Sequence, residues 1–149
     1  MNNPLLYILL ALAAGICIPT QAGINAQLSH WTRSPTLAAG VSFAVGTVCL
    51  ALYVITTRIP LPPVAGLGAA PWWIWSGGAL GAFFVASTIY LVPKLGATTM
   101  LALVLAGQML TSLLLDHFGA FAFPVHPISL LRVIGVLMVA AGVVLIQKY

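Results

Sequence analysis

The sequence predicts an all-α integral membrane protein with five transmembrane helices per chain. It further predicts an antiparallel homodimer, giving a ten-helix inverted-repeat bundle. Three observations lead there. Five apolar stretches are each long enough to cross a bilayer, and Asp116 is the single acidic residue. The five Lys/Arg fall almost evenly on the two sides that such crossings define.

Composition fixes the solvent. The chain is 62% hydrophobic and 4% charged, with a mean hydropathy of +1.14, where a soluble domain carries roughly 25% charged residues. So few charges cannot make a water-facing surface, so the partner of most of this chain is the lipid bilayer. Lipid leaves no backbone group paired from outside, which allows only helices or a closed barrel. The apolar runs are continuous rather than alternating, and that selects helices.

A helix of about 20 apolar residues crosses the hydrocarbon core. The first span runs from about Leu5 to Gln27 and contains Pro19. The second covers about 36–56 and ends at Arg58 and the Pro60, Pro62, Pro63 cluster, which opens the longest loop. The third follows the Trp72, Trp73, Trp75 group, an interfacial belt by composition, and covers about 73–92. Pro93-Lys94-Leu95-Gly96 reads as a tight turn leading to an antiparallel fourth span at about 97–115. The fifth covers about 128–146, beyond Pro124 and Pro127. Residues 1–149 read as one transmembrane domain. No Lys or Arg precedes the first run, which argues against a signal peptide.

With the N-terminus on side one, Arg58, Arg132 and Asp116 share that side, and Arg33, Lys94 and Lys148 take the other. Two Lys/Arg against three gives no usable bias, since orientation follows Lys/Arg and largely ignores acids. Insertion in both orientations, with an inverted copy as partner, is the expectation. Many transporters reach the same plan by fusing two halves. The alternative is one orientation set by weaker cues.

Small residues supply helix contacts in such a bundle. Gly77, Gly78, Gly81 and Ala82 form small-xxx-small pairs in the third span, and Gly40 and Ala44 do so in the second. Gly135, Val139 and Gly142 lie near one face of the fifth, as a dimerisation surface or as packing within one protomer. Cys17 and Cys49 read as small packing residues, with no ligand spacing.

Polar side chains are costly in hydrocarbon and so face an interior or a cavity. Cys17, Gln21 and Asn25 recur every four residues on one face of the first span, where Pro19 frees a carbonyl. The second offers Ser42, Cys49 and Tyr53. The third offers Phe83, Ser87 and Tyr90 on one stripe, with Trp75 nearer its start, and the fourth Gln108, Thr111 and Ser112. Convergence on one central cavity is the economical expectation, with Gln21, Asn25, Trp75, Ser87, Tyr90, Gln108 and Ser112 binding solute. The plainer account is that Gln21, Asn25 and Gln108 only bond helix to helix.

Asp116 has two readings. It pairs with Arg132 or another interfacial base to close a loop, or it is a proton-coupling carboxylate. His30, His117 and His126 fall in expected loops without metal spacing, so neither a metal nor a cofactor is called for. The basic residues stand singly at span ends, unlike a nucleic-acid patch. The Gly77-Gly78-Ala79-Leu80-Gly81 run follows no strand and is no nucleotide loop. No Ser/His/Asp set or paired carboxylate can be assembled, so an enzyme is not expected.

Three segments carry a family resemblance: Gly15-x-x-x-Pro19-x-Gln21-x-x-x-Asn25-x-x-Leu28, Trp75-x-Gly77-Gly78-x-x-Gly81, and Gly107-Gln108 through Asp116-His117-Phe118-Gly119. Together they resemble the YdcZ-like family of the drug/metabolite transporter superfamily. The resemblance implies a five-helix transporter fold in the bacterial inner membrane, equivalent to half of the ten-helix members. It supplies no substrate. The four-helix multidrug exporters of that superfamily rely on a glutamate in their first helix. Here Gln21 and Asn25 stand in that helix, so their proton-antiport mechanism does not carry over.

The resulting expectation is a transporter that moves a small solute by alternating access. A passive channel or facilitator for an anion or neutral polar solute is the alternative, since Asn, Gln and hydroxyl groups suit a pore lining. A membrane assembly factor that moves no solute is the third reading.

Overall fold

The computed structural model describes residues 4–63, 68 and 70–148. Among them the regular elements are all helical, and five helices are long and apolar enough to cross a membrane. They are α1 (Pro4–Thr32), α2 (Pro35–Thr57), α3 (Ser76–Leu95), α4 (Ala97–Phe118) and α5 (Leu130–Lys148). A 3-10 turn, Trp72–Trp75, leads directly into α3. Residues 64–67 and 69 of the expected long loop lie outside the described residues.

The helix ends differ from the sequence expectation in instructive ways. The first helix continues past Gln27 to Thr32, because its last turns (Leu28, Ser29, His30, Trp31) hold no breaker. His30 and His117 accordingly sit in the last turns of α1 and α4 rather than in loops. Pro93 does not end α3. It lies inside the helix, and the break falls at Gly96, where φ is 77°. A proline two residues from a helix end removes a single hydrogen bond, which the last turn absorbs more readily than a positive φ.

The chain forms two compact units that divide between Pro93 and Lys94. In the first, α1 and α2 pack together across a two-residue link. Arg33 takes the left-handed conformation (φ 54°). Ser34 caps α2, its hydroxyl accepting from the Leu37 N–H at 3.3 Å, and Pro35 opens the helix. A serine cap followed by proline suits a helix start, because the proline has no N–H to leave unpaired. Ala22 and Ala26 on α1, and Ala38 and Ala39 on α2, are all buried. Leu28, Val85, Ala86 and Ile89 complete this small core with Ala38 and Ala39. Gly40 is not part of the contact and has open space where a side chain would stand. Gly81 does receive a neighbour, the Phe43 ring, 3.4 Å from where its Cβ would be.

In the second unit α4 and α5 pack together. Gly135 and Val139 of α5 line a cleft with Met109 and Ser112 of α4. Gly135 and Gly142 both have open space where a side chain would stand. Both cysteines are exposed on the single chain, so neither is a core residue of it.

Candidate functional site

A cavity of about 530 Å³ lies in the first unit, between α1 and α2. The α1 wall is Ile16, Cys17, Thr20, Gln21, Ile24, Asn25 and Leu28, a spacing of three and four that keeps one helical face turned to the space. Val41, Ser42 and Val45 form the α2 wall. Gln21 and Ser42 also border a second opening of about 240 Å³, extended along α2 by Gly46, Thr47 and Leu50. The cavity is thus an aliphatic groove holding carboxamides, hydroxyls and a thiol, with no charged side chain on its wall.

Asn25 is the distinctive group. It is 4% exposed, and its side-chain Nδ2 has no hydrogen-bond partner among the described residues. The neighbouring hydroxyls solve the same problem on their own helices. Thr20 donates to the Ile16 carbonyl at 2.9 Å, Thr47 to Phe43 at 2.8 Å, and Thr88, the other buried polar residue, to Val85 at 2.9 Å. Threonine reaches back to its preceding turn easily; the Asn25 amide does not. On its α3 side Asn25 meets only a void of about 10 Å³ bordered by Ala22, Phe84, Val85 and Thr88.

The residues expected to bind solute are distributed unevenly. Gln21 and Asn25 share the groove, joined by Thr20 and Ser42. Ser42 was visible in the sequence as part of a polar stripe, but the spacing of α2 alone did not say which of its faces meets α1. Trp75 and Tyr90 are 59% and 52% exposed, and neither they nor Ser87 line the groove. Gln108 and Ser112 belong to the second unit, both exposed on the single chain. Ser112 borders the α4–α5 cleft of about 250 Å³.

Asp116 belongs to a different constellation. Its carboxylate pairs with the Arg132 guanidinium, and Arg132 also donates to the His126 carbonyl at 2.6 Å. The His126 N–H returns to the Asp116 carbonyl at 2.9 Å. One residue on, His117 accepts the Ile128 N–H through Nδ1 at 3.2 Å, which places the ring proton of that tautomer on Nε2. The last turn of α4 is thereby tied to the segment that enters α5. Of the two sequence readings, the pairing with Arg132 is the contact this carboxylate makes.

Comparison with known proteins places this geometry in context. The family model described as "Putative inner membrane exporter, YdcZ" matches residues 6–145. The chain is similar to the inner membrane protein YdcZ of Escherichia coli strain K12, at 26% identity over 148 residues, covering 93% of this chain and 97% of the relative. No solved structure matches.

Proposed function

The chain belongs to the YdcZ family of inner membrane exporters, and from that premise we propose that it moves a small solute through the α1–α2 groove by alternating access, as one half of an antiparallel homodimer. Its five apolar helices make it a multi-pass protein of the inner membrane. The observation that carries the reading is Asn25, whose buried Nδ2 has no partner among the described residues, on the wall of a cavity the size of small-molecule sites. Unpartnered buried polar groups are rare in proteins and are found where something else completes them. The antiparallel pairing is supported by the balance of Lys/Arg between the two sides and by Gly77 and Gly78, which have open space around them in the single chain.

The reading is tested by reconstituting the protein in proteoliposomes and screening neutral and charged small solutes for flux. Saturable, slow flux is expected, abolished by Gln21→Ala and by Asn25→Ala while assembly stays intact. Normal flux in both variants would reduce these residues to packing, and rapid unsaturable flux would favour a channel. Asp116 has a structural part in this reading. Asp116→Asn is expected to leave the response of flux to a pH gradient unchanged. If that response alone disappears, with the fold intact, the carboxylate carries the proton.

A further inference from the structure

We propose that the α1–α2 groove takes an uncharged solute with a carboxamide, or a comparable carbonyl group, at one end and a compact hydrocarbon body at the other. The inference rests on the reading of this groove as the solute site and names the chemistry of what fills it.

The polar end follows from the groups that await it. Asn25 brings a carboxamide whose Nδ2 has no partner among the described residues. Gln21, one turn earlier on the same face, brings a second, and Ser42 faces them from α2 with a hydroxyl. A carboxamide carries both donors and an acceptor, and its most complete partner is another amide, which exchanges two parallel N–H···O bonds with it. That pairing holds whichever way the amide is turned, so it does not depend on assigning O and N.

Charge is excluded by what is missing from the wall. No Asp, Lys, Arg or His lines the groove, so an ammonium or carboxylate would lose its hydration without a counter-charge. Nor does an aromatic ring line it, which removes the cation–π cage that quaternary ammonium ligands require. The body follows from the remaining wall. Ile16, Ile24, Leu28, Val41 and Val45 are branched aliphatics, which gain by covering hydrocarbon and offer no further polar contact.

Three compounds with nearly the same carbon body separate the alternatives: cyclohexanecarboxamide, cyclohexanecarboxylate and cyclohexylmethylammonium. Binding is measured by equilibrium dialysis against the full-length protein in nanodiscs, with empty nanodiscs as the blank. The amide should bind at least about tenfold more tightly than either ion, the scale of one or two well-made hydrogen bonds. Asn25→Leu should weaken amide binding by about tenfold. Val41→Trp, which fills the groove from α2 and leaves the amides in place, should abolish it, so the outcome does not hang on one variant folding. Equal or tighter binding of an ion, or amide binding unchanged by both variants, overturns the proposal. Binding of none of the three also overturns it. Flux of the same compounds in proteoliposomes keeps the two readings apart. Amide that binds as described but is not moved sinks transport and leaves the solute class standing. An ion moved in preference, through a path that Gln21→Ala and Asn25→Ala close, keeps transport and sinks the solute class.

Discussion

Asn25 is as deeply buried as Ala22, Ala26 and Ala39, yet its Nδ2 is unpaired among the described residues. A buried polar group left without a partner costs about 1–3 kcal/mol. Asn25→Leu should therefore stabilise the solute-free protein by roughly that amount, read as a higher unfolding midpoint in detergent. A lower midpoint would mean that the amide is already satisfied in the assembled protein. The recurrence of Cys17, Gln21 and Asn25 every four residues made their shared face legible in the sequence. Which of them is buried was not, because spacing within α1 does not say where Phe84, Val85 and Thr88 of α3 come against it. Asp116 was legible for a simpler reason. In a chain with one acid, the basic groups within reach are few, and Arg132 lies where the next helix begins.

At the scale of the element, helix termination is where backbone conformation decides. Gly119 closes α4 at φ 60°, and a Cβ there would stand 2.7 Å from Val125 Cγ2. Gly119→Ala should destabilise by about 1–3 kcal/mol through the left-handed backbone alone, with the Val125 contact adding to it. Gly142→Ala is the comparison, since α5 has ordinary helical geometry there and open space around it. It should be neutral or stabilising by up to about 1 kcal/mol, and equal effects of the two in thermal unfolding would contradict this account. The spans themselves were legible, since long apolar runs need no tertiary information. Their ends were less so. The sequence stops α3 at the residue before Pro93, while the helix runs on to Leu95. The aromatic stripe of α3 shows the same limit. Helical spacing grouped Phe83, Ser87 and Tyr90, but Phe83 and Tyr90 are exposed on the single chain, and spacing carries no information on which face a neighbour covers.

For the whole molecule the open question is which way the chain lies in the membrane. Arg58 and Arg132 stand on one side of the predicted topology, and Arg33, Lys94 and Lys148 on the other. C-terminal reporters for both compartments should be active in the wild-type chain; a signal from only one would exclude dual insertion. Lys94→Gln with Lys148→Gln changes the count from two against three to two against one, and by the positive-inside rule should raise the share of chains whose C-terminus is periplasmic. These two lysines sit in the last turns of helices with ordinary backbone. The arginines do not. Arg33 and Arg58 occupy left-handed positions that end α1 and α2 (φ 54° and 53°). At Arg58 the turn is closed by its own N–H to the Ile55 carbonyl and by the Ile59 N–H to Val54. In these two places one residue both reverses the chain and carries a topogenic charge. Replacing either with a β-branched residue would strain the turn as well as remove the charge. Glycine or asparagine would keep the turn while shifting the balance of insertion. A drift from balanced to committed orientation thus has its least obstructed mutational route through the lysines, while the arginines tie the decision about orientation to the stability of the helical hairpin.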